Sequence, residues 1–182
     1  MGMGWADNDK EFKAEMVNIS IQGNGLEQLD ISLESNLDIS IMVSIVPGTL
    51  FETISSSVQT MVARELREII LEPHAVVDIE LEVACASMHL NTPGPGDSFT
   101  AVWPPTIPDL SKLVSSESFI EEENFRVQQF AIWVITDNPP SGNFVGLGSV
   151  GTGSGPSEDE MDQIRQLFLQ AGVSMEEYRA LK

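Results

Sequence analysis

A single thiol, Cys85, and two imidazoles, His74 and His89, are the residues of this 182-residue chain best suited to nucleophilic chemistry. A thiol attacks only as thiolate and needs a nearby base or positive field. Cys85 follows Leu81, Val83 and Ala84 in an apolar run, which marks it as a buried structural thiol. Cys85 and His89 lie four residues apart, about 13 Å in extended chain, too far to share one metal ion. There is no G-x-S-x-G elbow to seat a serine nucleophile. A hard cation such as calcium needs only oxygen ligands. Asp97, Asp109, Asp137 and Asn138 fall in loop-like stretches and form the candidate set for one, which would also serve a carboxylate-based, divalent-cation-dependent enzyme. No calcium-loop spacing links them.

The glycines at 146, 148, 151, 153 and 155 resemble a phosphate cradle only in count. No lysine follows, and the next segment opens with Pro156 and a group of acids that repels phosphate. They read as a flexible link.

Any such residue must be held by the elements around it, and these read mainly as strands. Val17, Ile19 and Ile21 alternate with polar residues up to Gly23-Asn24-Gly25. Leu29, Ile31 and Leu33 repeat the pattern, and Leu37 to Ile45 extends it. Val77, Ile79, Leu81 and Val83 alternate with acids and lead into Cys85. The stretch 58–71 accommodates either a helix or two short strands, Gln59 to Leu66 and Arg67 to Glu72, and the flanking strand pattern favours the strands. Its charged residues, Arg64 and Arg67 among them, fit an exposed sheet face. The proline-rich stretch from Asn91 to Pro108 reads as a long turn region, with Asp109 placed to cap a short helix Leu110 to Val114. Asn124 to Pro140 changes period. Val127, Phe130, Ala131, Trp133 or Val134, and Ile135 form one broad helical face over residues 124–136. Glu121 to Glu123 sit at its start, and Pro139-Pro140 stops it.

These patterns predict a mainly β protein, an antiparallel β-sandwich with inserted helices and a short C-terminal helical hairpin, with a half-open β-barrel as the competing geometry. The expected organisation is a flexible arm over 1–15, a sandwich domain over 16–145, with a short edge strand around Phe144 to Leu147, a glycine-rich linker over 146–156 and the hairpin over 157–182. In the hairpin, Ser157 and Glu160 have the capping-box spacing, and Gly172 is a helix stop. Ser174 and Glu177 repeat the capping spacing for a last helical segment. Met161, Ile164, Leu167 and Phe168 share one face, which can dock on the sandwich or on a protein partner.

Acids outnumber bases 28 to 9, for a net charge of -19. That field repels nucleic acid and anionic lipid surfaces. Binding to either is not expected, nor is direct membrane insertion, since no run is long and apolar enough to span a bilayer. A protein partner or a homo-oligomer fits better. One cysteine rules out an internal disulfide, which leaves the compartment open between the cytoplasm and the cell surface.

One juxtaposition points to a known layout. A strand carrying Cys85, VACASMHL, precedes a helix carrying VQQFAIW, in which Gln129 to Trp133 spell Q-x-A-I-W. This resembles thioester domains of Gram-positive surface proteins, and the likeness runs from Val83 to Asn138. The resemblance implies a bond from Cys85 to the side chain of Gln128 or Gln129. The chain is also similar to bacterial extracellular β-sandwich modules that keep a V-P-x-G-T-x-F turn, here Val46 to Phe51, and the same helix without the bond. In that version Gln129 braces a neighbouring loop and Trp133 fills the core. The expected function is a non-enzymatic binding or structural module, extracellular or assembly-associated. A carboxylate enzyme and an intracellular interaction domain are the alternatives.

Overall fold

The computed structural model describes residues 16–140, 144 and 155–182. The expected arm, the edge strand after Phe144 and most of the glycine-rich link lie outside these residues. The chain runs β1 (Val17–Gly23), β2 (Gln28–Ser35), β3 (Ile41–Ile45), β4 (Leu50–Thr53), β5 (Met61–Ala63), β6 (Arg67–Leu71), β7 (Val76–Cys85), β8 (Phe99–Val102), α1 (Pro108–Val114), α2 (Glu117–Ile120), α3 (Phe125–Thr136) and α4 (Glu158–Ala171). Two 3-10 turns, Met175–Glu177 and Arg179–Leu181, close it.

The architecture is mainly β, and every strand pair is antiparallel. Six strands form one sheet in the order β1-β2-β7-β5-β4-β8. Its ends approach each other through the Gln22–Ser98 bridge and a hydrogen bond from Gly23 N–H to the Asp97 carbonyl at 2.9 Å, so the sheet curls into a near-barrel. β3 and β6 form a separate two-stranded ribbon. Alternation works as expected. In β2, Leu29, Ile31 and Leu33 are buried while Asp30 and Ser32 are not, the pattern of a sheet with one wet face.

β3 is shorter than the hydrophobic alternation from Leu37 predicts. Its register runs from Ile41 opposite Leu71 to Ile45 opposite Arg67. Beyond Leu71 the partner turns away through Pro73-His74, so Leu37 to Ser40 have no strand ladder to join, and Ile39 is left exposed. The stretch 58–71 does hold two strands, β5 and β6, the first trimmed to three residues. At the Val46 to Thr49 turn, Gly48 has φ +87° and a Cβ there would meet Ser111 of α1 at 2.7 Å. Only glycine lets this turn lie so close to the helix.

The helical half differs from expectation in several details. α1 starts at Pro108 with Ile107 as an N-cap that makes no side-chain bond; Asp109 sits inside the first turn and accepts from the Tyr178 hydroxyl at 2.8 Å. A short helix that the sequence reading did not name, α2, follows α1, capped by Ser116. α3 has no acid in its first turn; Asn124 caps it by accepting from Arg126 N–H. Glu122 accepts from Asn124 N–H instead. Val127 to Ile135 are all buried, so α3 is enclosed on every side rather than apolar on one face. Helices α1 and α4, strand β7 and the last 3-10 turn pack around it, and α2 meets it through the Phe119 carbonyl, which accepts from the Gln128 side chain.

α4 has the expected capping box of Ser157 and Glu160, and Gly172 closes it at φ 67°. The chain after it forms 3-10 turns, not a second α-helix, and Ser174 makes no capping bond. Ile164, Leu167 and Phe168 are buried in the same hydrophobic core as the strands and α3, and Met161 is packed against it. The face offered above to a partner is therefore covered by the chain's own core, and the C-terminal unit belongs to the main body. Among the described residues, no helix is long and apolar enough to cross a membrane.

Candidate functional site

The site that the sequence singles out lies where β7 ends. On one side of that strand β5 pairs with it through Ala63, opposite Val83, and Met61, opposite Cys85. On the other side the register with β2 stops at Gln28, opposite Glu82. One more backbone bond follows, from Val83 N–H to the Glu27 carbonyl at 2.9 Å. Beyond it, β7 has backbone groups facing a partner strand that is not there. Buried peptide groups left without partners cost roughly 1–3 kcal/mol each, so the fold must supply substitutes.

Side chains do so. Arg64 Nε donates to the Val83 carbonyl at 3.0 Å. The Gln129 carboxamide meets Cys85 twice. Its Oε1 accepts from Cys85 N–H at 2.9 Å, and its Nε2 donates to the Cys85 carbonyl at 2.6 Å. Further on, Asp137 at the end of α3 accepts from Met88 N–H at 3.2 Å. One helix thus completes the hydrogen bonding of the strand end from two of its positions.

Gln128 faces another way. Its Nε2 donates to the carbonyls of Phe119 at 2.8 Å and Glu122 at 3.0 Å, and its Oε1 accepts from Arg64. Arg64 is the residue that sequence reasoning missed. Expected on an exposed sheet face, it has a side chain only 11% exposed and stands 3.5 Å from Glu82 and 4.0 Å from Glu27. Its guanidinium lies over the Phe125 ring. Burial pulls its pKa below the ordinary value, with Glu82 and Glu27 acting in the opposite direction. The only sequence signal was an arginine two places from the buried Val62, which by itself distinguishes nothing.

Of the two candidate partners for Cys85, the structure brings Gln129 to it and sends Gln128 elsewhere. The thiol itself is fully buried, and burial pushes its pKa up to about 12. Neither histidine is placed to change that. His74 pairs with Asp38 at 2.9 Å on the surface. His89 is exposed past the end of β7, which stops at Cys85 instead of continuing toward it.

The oxygen ligands proposed for a cation are not brought together. Asp97 accepts from Gly94 N–H within its own loop. Asp109 bonds Tyr178 and Lys112. Asp137 is drawn to Met88 and Thr136, and burial raises its pKa against those two bonds. Asn138 joins the C-terminal turns, donating to the Glu177 carbonyl and accepting from Arg179 N–H. Among the described residues, no three of His, Cys, Asp and Glu gather as a metal-binding group. Compared with known proteins, the chain matches no family model, no curated protein and no solved structure.

Proposed function

We propose that this chain is a non-enzymatic binding or structural module, displayed outside the cell or on an assembly. The observation that supports it most is the use of the Gln129 carboxamide. Both of its polar atoms are spent on the backbone of Cys85, and the thiol beside it is buried and held in its protonated form. A group that both donates and accepts in this way acts as a piece of strand, and a neutral buried thiol is a poor nucleophile at neutral pH. The strongly acidic composition adds solubility and repels anionic surfaces.

A second reading draws on the same contact. The Gln129 carboxamide lies against the backbone of Cys85, and in a thioester the thiol sulfur of that residue would bond the carboxamide carbon and ammonia would leave. The intact mass of the denatured protein separates the two. The brace gives the mass of the sequence, with Cys85 alkylated by iodoacetamide only after unfolding. A chain lighter by one ammonia, with no alkylation even when unfolded, would replace the brace with a covalent adhesin.

A further inference from the structure

The geometry points to a docking edge for an extended peptide. A strand with a neutral, alternating apolar core and basic ends adds antiparallel to β1 and lays an inward side chain in the open seam of the near-barrel. β1 and β8 are the outer strands of the six-stranded sheet. They are bridged at Gln22 and Ser98, and Gly23 N–H bonds the Asp97 carbonyl beside that bridge. Continued in the same antiparallel register, the contact would set Ile19 opposite Ala101. Among the described residues no further bridge joins the two strands, and the rims part. Ile19 is 43% exposed, although Val17 and Ile21 on the same face are 2% and 5% exposed. Ala101 is exposed although Phe99 is buried.

The backbone on each rim faces the gap. In a strand, the N–H and C=O of one residue point to the same side, and the side alternates along the chain. Gly23 N–H points toward β8, so Ile21, Ile19 and Val17 direct their groups the same way, while Asn18, Ser20 and Gln22 serve the ladder with β2. The Asp97 carbonyl sets the same direction toward β1 for Phe99 and Ala101. Val17 and Ile19 thus offer donors and acceptors to a strand that the described residues do not supply. Such edges are usually blunted by charge or proline. β1, VNISIQG, and β8, FTAV, carry neither, in a chain with a net charge of -19.

The seam also selects the side chain. A cavity of about 260 Å³ lies there, lined by Ile19, Ile21, Leu33, Phe51, Phe99 and Ala101 among others. No charged residue lines it, and its hydroxyls are those of Ser44, Thr49 and Thr100, of which Thr49 already donates to the Val46 carbonyl at 2.8 Å. A charged side chain would lose its hydration there without a counter-charge, whereas an aromatic or large aliphatic one fits. Strand addition of this kind draws affinity from the main chain and specificity from alternate side chains. Beyond the cavity, the net charge of -19 favours lysine or arginine at the ends of the peptide. This gives the binding-module reading a partner class and rests on that reading. The seam shares no residue with the Cys85–Gln129 brace, so the failure of either is seen in a different measurement.

The probe is the acetylated and amidated peptide Lys-Thr-Val-Thr-Phe-Thr-Val-Lys, added to the ¹⁵N-labelled full chain. It is expected to shift the Ile19 and Ala101 amide resonances saturably and to slow hydrogen exchange at Ile19. Methylating the peptide's Phe and second Val nitrogens, which face β1 in an antiparallel addition, should weaken binding roughly 10-fold, the factor of two net hydrogen bonds. Glutamate in place of both lysines should weaken it as well. Ile19→Pro removes the N–H on the free edge and leaves the ladder with β2 intact; read at Ala101, it should bind as weakly as the methylated peptide does to the parent chain. The methylated peptide tests the same bonds without touching the fold. No saturable shift, equal binding by the methylated or glutamate-ended peptide, or undiminished binding to Ile19→Pro would each overturn the assignment. So would an Ile19 amide already protected in the free protein at every concentration, which puts the chain's own residues on the edge, or one protected only as concentration rises, which puts a second copy there.

Discussion

A carboxamide carries the same donor and acceptor as a peptide unit, which is why Gln129 can stand where a strand would have been. Alanine at this position leaves the Cys85 N–H and carbonyl buried and unpaired. Gln129→Ala should therefore cost about 2–6 kcal/mol in denaturant unfolding, two unmet groups' worth, whereas a side chain with only a packing role would cost the cavity alone. Gln129→Glu should not fully rescue it at neutral pH, because the ionised carboxylate can accept from Cys85 N–H but cannot donate to the carbonyl, and holding the buried acid protonated there costs free energy. At this scale the sequence was partly legible. The Q-x-A-I-W run and Cys85 were recognisable as a pair, and the structure brings them together. Arg64 was not, because its role depends on where β2 stops, and nothing local to Arg64 encodes that. The loop acids were misleading for a related reason. Asp97 is used within its own loop, while Asp137 and Asp109 are used by Met88 and Tyr178, neighbours that come from distant sequence.

Between elements, one join that carries a charge runs from α3 to α4. Arg126 Nε stands 2.9 Å from Glu160 Oε1, and the same carboxylate accepts from Ser157 N–H in the capping box. The bond with Arg126 is the largest influence holding Glu160 below its ordinary pKa. A depressed carboxylate contributes stability that is complete above the unfolded value, about 4.3, and is lost as pH falls through the lower folded value. Glu160→Gln should thus destabilise by about 1–2 kcal/mol at neutral pH, and the gap between the two proteins should close as pH falls below about 4. The comparison with the variant matters because Asp137, whose pKa is raised, contributes with the opposite sign. A gap that stays constant with pH would show that the pair adds nothing beyond the cap. Helix boundaries were largely readable from caps and breakers, as Ser157, Gly172 and Pro139 illustrate. The full enclosure of α3 was not, since it requires α1, α2 and α4 to arrive around it, and periodicity reports only one face.

At the scale of the molecule, the C-terminal segment is part of the core. α4 buries Ile164 and Phe168 completely, and Phe168 stacks edge-on with Tyr178 at 5.4 Å. Truncation after Gly155 should expose α3 and abolish cooperative unfolding, read by loss of a sharp thermal transition and by dye binding to apolar surface. A truncated chain that still unfolds cooperatively near the full-length temperature would return α4 to the status of an appendage. The mainly β class was legible because alternation survives at any register. The curling of the larger sheet was legible only as the competing half-open barrel, because the choice depends on β1 meeting β8 around the four strands between them.

The strand end that borrows a side chain has one more consequence. Cys85 and Ala86 are neighbours, yet their amides answer to different parts of the protein. Ala86 N–H is held by the Thr60 carbonyl just before β5, and Cys85 N–H is held by Gln129 on α3. An opening of the helix away from the sheet would release one hydrogen and leave the next protected, so exchange at two adjacent amides reads two different contacts.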